Sequence, residues 1–306
     1  MRIVLIGQAV FGEKVLEALL NRGENVVAVF CPPDGAGKPV GMRLLAESRG
    51  VPVHQPKRMR EPEVRDAFRQ LQPDLNVMAF VTDIVPLPIL EMPTLGTIQY
   101  HPSLLPMHRG GSAINWAIIK GERTTGLTIF WPDKGIDTGP ILLQKAVEIG
   151  PDDTTGSLYF GKLFPLGVDA MTEAVELVKS GTAPRIPQDE SLATWDPLCT
   201  EERAIIDWSR PVSQVYDLIR GANPAPGAST VFHGSRVRVF DAQRVETSQG
   251  GAPGQVLAVE PDGFVVASQG GGILVKRVQA AGVAKVKAPE FIVSSGLKVG
   301  DTLGDC

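Results

Sequence analysis

Four short apolar runs, RIVLIG (2–7), NVVAVF (25–30), VPVH (51–54) and LNVMAF (75–80), alternate with helical patterns such as EKVLEALLNRG (13–23) across the start of the chain. Few folds accommodate that alternation. Uninterrupted runs rich in Val and Ile are strands buried on both faces, and intervening amphipathic helices supply the covering layers, so a doubly wound α/β domain is expected. The 306-residue length leaves room for about two domains. After a helix-like stretch, LYFGKLFPLGVDAMTEAVELVKS (158–180), comes the Pro-rich polar tract TAPRIPQDESLATWDP (182–197). It reads as a linker. Beyond it lie one helical piece, VSQVYDLIRGA (212–222), and Gly-punctuated alternating runs that suggest a small antiparallel β barrel. The expected layout is a catalytic domain at 1–182, a linker at 183–203 and a barrel at 204–306.

Several classes of function are disfavoured at once. The net charge of −4 gives no overall basic signature, so a nucleic-acid partner would need a local patch. Cys31, Cys199 and Cys306 are odd in number and contain no CxxC pair, which argues against a disulfide framework and a zinc site and fits a reducing cytoplasm. MRIVLIG (1–7) reads as a first strand rather than a secretory signal. The apolar stretch 75–90 is broken by Asp83 and by prolines, so no membrane span is expected. The opening GQAVFGEK (7–14) is neither a dinucleotide fingerprint nor a Walker loop. Gly7 and Gly12 are expected to let the chain pass close to a neighbouring segment.

Chemistry concentrates in QYHPSLLPMHRG (99–110) and GIDTG (135–139), which place His101 and Asp137 in glycine-punctuated turns after apolar segments. TLGTIQY (94–100) and GLTIFW (126–131) read as strands, with SAINWAIIKGE (112–122) between them as a helix capped by Ser112 and stopped by Gly121. Strand, helix, strand predicts a parallel βαβ unit, with both residues on one carboxyl edge.

These two motifs resemble the signature of the folate-dependent formyltransferase family, and so do MRIVLIGQAVFG, SAINWAIIKGE, GIDTGPILLQK, LYFGKLFPLGVDAM and IRGANPAPGA. The likeness is strongest to the family's 10-formyltetrahydrofolate hydrolase branch and somewhat weaker to its methionyl-tRNA branch. It implies a Rossmann-like domain binding 10-formyltetrahydrofolate, followed by an OB-like barrel. It also implies that His101 and Asp137 are catalytic. The carboxylate would either raise the imidazole pKa and fix its tautomer or shuttle protons itself; the alternative for Asp137 is a plain Asx-turn. Gln99 stands where many members carry Asn, and it would either donate to the oxyanion or cap a strand end.

By the same resemblance, two loops hold the folate: Phe80, Val81, Thr82, Asp83 and Ile84 in one, Pro132, Asp133, Lys134, Gly135 and Ile136 in the other. Ile98 and Leu104 would be apolar walls. Arg109 is either an anion ligand or an exposed structural arginine, His108 is expected on the loop surface, and His54 and His233 have no supporting neighbours. No metal or nicotinamide cofactor is indicated. The acceptor stays open between water or a small amine and initiator methionyl-tRNA, whose phosphates would call for more basic residues than Lys38 and Arg43 supply in the 31–43 loop. The patch SRVRVF with Lys276 and Arg277 keeps the tRNA alternative open. A non-catalytic folate-binding module is the third alternative.

Overall fold

The computed structural model describes residues 1–35, 39–247 and 250–304, and Lys38 and Cys306 lie outside them. The chain divides into two units that interleave in sequence. The first comprises Met1–Gly111, Gly126–Val147 and Phe160–Asp196, and the second Ser112–Thr125, Glu148–Tyr159 and Pro197–Cys306.

The first unit is built on seven strands: β1 (Arg2–Gly7), β2 (Asn25–Phe30), β3 (Val53–His54), β4 (Leu75–Ala79), β5 (Thr97–His101), β6 (Thr124–Phe130) and β7 (Ile141–Glu148). Their order is β3-β2-β1-β4-β5-β6-β7. The expected doubly wound sheet is present, and alternation along β1 shows why this sequence makes it. Ile3 and Leu5 face one core with helices Ala9–Asn21 and Phe164–Lys179, while Val4 and Ile6 face a second core with helix Pro62–Leu71. Burying each such side chain stabilises the fold by about 1.5–3 kcal/mol, so a polar residue is excluded on both faces. Gly7 ends β1 where a Cβ would lie 2.8 Å from the Ala79 carbonyl oxygen, and at Gly12 a Cβ would press on Gly7 and Met42. Both glycines serve close packing, as expected.

The sheet is parallel from β3 through β5, but β5 and β6 run antiparallel, with Gln99 opposite Phe130 and His101 opposite Thr128. The expected parallel βαβ unit is therefore wrong. A parallel return needs a crossover helix covering the sheet. The short helix Ala113–Ile119 instead belongs to the second unit, where Asn115 Nδ2 donates to Gly221 O at 2.8 Å. Ser112 precedes that helix without capping it, and its hydroxyl instead accepts from the Cys199 N–H.

The tract read as a linker is well bonded within the first unit. Ile186 and Ile141 exchange both backbone hydrogen bonds, and Thr194 and Asp196 pair with the Arg109 backbone. Its polar residues lacked hydrophobic periodicity because they act as hydrogen-bonding groups.

The second unit carries β8 (Ala228–Phe232), β9 (Ser235–Val245), β10 (Val256–Glu260), β11 (Gly263–Ser268), β12 (Gly271–Ala280) and β13 (Val286–Lys287). The order is β10-β11-β12-β9-β8, with β13 on β12, and these pairs are antiparallel. His233 and Gly234, both at positive φ, form the two-residue β8–β9 turn. Trp208, Val215, Ile219, Phe264 and Phe291 fill the core between the sheet and its helices.

Candidate active site

His101 is the last residue of β5. Strand alternation puts it on the same face as half-buried Gln99, while Tyr100 points the other way and packs on Phe11, with ring centroids 4.4 Å apart. The chain after His101 folds back on itself, held by Thr128 of β6. The Thr128 hydroxyl donates to Ser103 O at 2.6 Å and accepts from the Leu105 N–H at 3.0 Å. This return brings the His108 carbonyl to 2.9 Å from His101 Nε2. A carbonyl only accepts, so Nε2 carries the proton and a neutral ring presents an open lone pair at Nδ1.

Asp137 arrives from the β6–β7 loop, which Trp131 N–H closes onto Pro140 O at 2.9 Å. The glycines of GIDTG are steric necessities, since a Cβ at Gly135 would overlap Thr138 Oγ1 and one at Gly139 would overlap Trp131 O. An Asx-turn does exist here, but Asp133 makes it, accepting from the Gly135 N–H at 2.9 Å and the Thr138 hydroxyl at 2.6 Å. Asp137 is thus free for another task. Its Oδ2 accepts from Gly110 N–H at 2.9 Å and lies 3.5 Å from His101 Nδ1. Both side chains are under a tenth exposed. Burial pushes the His101 pKa below the ordinary imidazole range, opposed by the Asp137 carboxylate. At 3.5 Å the pair is wider than an N–H···O hydrogen bond, as suits a neutral ring whose lone pair faces a carboxylate.

Asp137 (φ 56°), His108 (φ 57°) and Phe80 (φ 59°) are three of six described non-glycine residues with positive φ. Such backbone strain gathers where a site requires a fixed geometry. His108 corrects the sequence reading: it is buried, with Nδ1 2.6 Å from Asp196 Oδ2 and its N–H donating to Thr194 Oγ1. Arg109 is neither anion ligand nor exposed arginine. It is 1% exposed, with both edges of its guanidinium bonded to Gln188 and Glu190. Gln188, Glu190, Thr194 and Asp196 were missed because their polar, Pro-flanked stretch carries no periodic signal. The only hint was its density of side-chain acceptors.

The remaining expected residues are spread more widely. Ile98 is enclosed in the core with no exposed surface, and Leu104 packs over Gly126 of β6. Asp133, Lys134, Gly135 and Ile136 are exposed on the β6–β7 loop and Pro132 is half-buried. Phe80 and Ile84 are exposed apolar residues, Ile84 at 78%. Val81, Thr82 and Asp83 line a cavity of about 240 Å³ with Gly7, Gln8, Cys31, Lys57 and Arg58. That cavity sits where strand order reverses between β1 and β4, the usual ligand crevice of an open α/β sheet. Gln8 Nε2 donates to Thr82 Oγ1 at 3.1 Å, and Asp83 accepts from Met59 N–H at 2.7 Å with Arg58 3.6 Å away. Burial pushes the Cys31 thiol up to about 11, so it is an inert wall. His54 stacks on Phe30, and His233 on Phe232. Among the described residues, no cluster of His, Cys, Asp or Glu could hold a metal ion and no helix is long and apolar enough to cross a membrane.

Residues 1–174 match the formyl transferase family model, and residues 199–296 match that of the formyl transferase C-terminal domain. The chain belongs to the formyltransferase family. Among curated formyltransferase relatives, mouse mitochondrial 10-formyltetrahydrofolate dehydrogenase is 41% identical over 271 residues, which cover 87% of this chain and 29% of that protein. The chain thus spans under a third of the length of the dehydrogenases it matches. Methionyl-tRNA formyltransferase of Geotalea uraniireducens (strain Rf4) is 37% identical over 311 residues, covering 99% of this chain and 98% of that one. In fold, the chain is similar to HypX from Aquifex aeolicus in complex with tetrahydrofolic acid, with a TM-score of 0.72 at 21% identity over 98% of this chain and 48% of that one.

Proposed function

We propose that this formyltransferase takes its formyl group from 10-formyltetrahydrofolate and passes it to water or a small amine, with His101 and Asp137 handling the acceptor's proton. The observation that carries the reading is the buried pair itself: a neutral imidazole with its Nε2 proton fixed and its Nδ1 lone pair turned to a carboxylate 3.5 Å away. As acceptor oxygen or nitrogen attacks the formyl carbon, the His101–Asp137 pair takes the acceptor's proton, and an imidazolium formed within the pair is stabilised by the carboxylate. The tetrahedral intermediate carries an oxyanion. Gln99, on the His101 face of β5, is the side-chain amide available to donate to it. Collapse breaks the bond between the formyl carbon and the folate nitrogen, which receives the proton back from the imidazolium. Tetrahydrofolate leaves, with formate or a formylated amine. General acid–base catalysis of this kind contributes about 10²–10⁴ in rate.

In this reading the 80–86 and 132–137 loops hold the folate, main-chain groups matching the pterin while Phe80, Ile84 and Ile136 cover it. The crevice between β1 and β4, with Lys57 at its wall and Arg58 paired with Asp83, is open to a small acceptor. Ion pairing supports a small acceptor over tRNA. Arg43 is bound by Asp34 and Glu47, Arg236 and Arg238 by Glu201, Lys276 by Asp262 and Arg277 by Asp241. Cations already neutralised release few counterions from a phosphate backbone. The second reading, methionyl-tRNA formylation, is favoured by the end-to-end match to the Geotalea enzyme. The free cysteines Cys31 and Cys199 suit an enzyme of the cytoplasm.

The deciding experiment mixes the protein with 10-formyltetrahydrofolate alone, follows tetrahydrofolate release, and repeats it with a small amine and with initiator methionyl-tRNA. Release without tRNA, abolished in Asp137→Ala, supports the proposal. Release only with charged tRNA would make this an initiation enzyme, and no release with intact folate binding would leave a binding module.

A further inference from the structure

The three consecutive residues 108–110 join the two halves of the active site. His108 O accepts from His101 Nε2 at 2.9 Å, and Gly110 N–H donates to Asp137 Oδ2 at 2.9 Å. Arg109, between them, is held by the 186–196 segment through its backbone as well as its side chain. Its N–H donates to Thr194 O at 3.0 Å, and its carbonyl accepts from Asp196 N–H at 3.1 Å. A Cβ at Gly110 would lie 2.6 Å from Asp196 O, so the fit admits no side chain.

The same segment reaches Asp137 from the other side. Gln188 Nε2 donates to Asp137 O at 2.9 Å and to Gly139 O at 2.7 Å, while its Oε1 accepts from Arg109 Nε at 3.2 Å and Nη2 at 2.8 Å. Both donors and the acceptor of one amide are thereby used, and all of them fix either the strained Asp137 turn or the residue beside it. Glu190 takes the rest of the Arg109 fork at 2.6 and 2.9 Å. Asp196, 2.6 Å from His108 Nδ1, fixes the residue whose carbonyl orients the His101 ring.

We propose that Gln188 and Asp196 are positioning residues for formyl transfer, Gln188 setting the Asp137 carboxylate and Asp196 setting the His101 ring through His108. The tract between the family's motifs and its second unit is then part of the catalytic apparatus. This rests on His101 and Asp137 being the pair that moves the proton.

The test uses the whole chain carrying Gln188→Glu, Gln188→Met, Asp196→Asn or His101→Ala. Gln188→Glu keeps the acceptor for Arg109 but has no N–H for the two carbonyls, and Gln188→Met removes both without adding charge. Tetrahydrofolate release is measured with kcat referred to sites counted by titration with tetrahydrofolate, so that any unfolded fraction drops out. If both residues position the pair, each variant loses about tenfold to a hundredfold in kcat, as misplacement of reacting groups does, and KM stays within about threefold because binding contacts remain. A kcat within about twofold of wild type in the Gln188 variants and in Asp196→Asn, with His101→Ala inactive, would overturn the proposal and leave the reaction standing. A rise in KM with unchanged kcat would also overturn it, since that is a binding role. Wild-type release by His101→Ala would overturn the reaction reading and this proposal with it.

Discussion

The loops that bring His101 and Asp137 together and the loop that follows β4 start from the same sheet, yet they are built on opposite terms. In the first, the Thr128, Gln144 and Gln188 side chains bond main-chain groups, Arg109 bonds the Gln188 and Glu190 side chains, and His101 and Asp137 are buried. In the second, Phe80 and Ile84 stand exposed, Thr82 and Asp83 hydrogen bond to neighbouring segments, and Val85 is buried in the core. Groups that exchange protons need fixed geometry, whereas apolar groups that cover a ligand gain their energy when it arrives. Under the proposed function, the difference separates rate from affinity.

Mutation should follow that division. Replacing His101 or Asp137 with Ala is expected to cut kcat by about 10²–10⁴ while tetrahydrofolate binding persists; equal losses of binding and rate in a fluorescence titration would erase the contrast. Gly139→Ala forces a methyl against the Trp131 carbonyl, so it should destabilise the chain by about 1–3 kcal/mol in denaturant unfolding and lower kcat as well. Ile84→Ala should do the reverse, raising KM by up to about tenfold at constant kcat, as lost apolar cover does.

Acidity offers a subtler probe. Burial lowers the His101 pKa, so kcat/KM should stay level through about pH 6.5, the ordinary histidine value, and fall only below it. Stability has a matching sign. An unfolded chain takes up the proton near pH 6.5 while the folded one resists, so stability is full above about 6.5 and declines as pH falls, less steeply in His101→Gln. An acid limb above the ordinary value would mean that Asp137 outweighs burial. The smallest effect is expected from Arg43→Ala and Arg236→Ala, which touch ion-paired surface groups and should leave small-acceptor turnover within about twofold. A large loss confined to tRNA assays would sharpen the question of the acceptor.

What the sequence revealed depended on the kind of constraint. Strands β1, β2 and β4 were legible because burial on two faces leaves a continuous apolar run, and GIDTG because two glycines are forced by overlap with Thr138 and Trp131. The antiparallel return of β6 was not, since SAINWAIIKGE has the period of a crossover helix whatever it packs on. His108 looked like a surface residue because its partner Asp196 is 88 positions away. Arg109 was ambiguous for the same reason, its ligands lying in a stretch with no pattern.

The interleaving of the two units has a consequence for how such a protein can be divided or recombined. In sequence, helix Ala113–Ile119 sits between β5 and β6, and residues 148–159 between the end of β7 and helix Phe164–Lys179, but both belong to the second unit. No single cut separates the units, and a fragment ending after Asp196 would keep both insertions while discarding the helix Val212–Gly221 that Asn115 and Thr155 bond. Exchange of the C-terminal unit between relatives therefore requires three segments to travel together. An inheritance of that kind favours divergence of the whole chain over the shuffling of its parts.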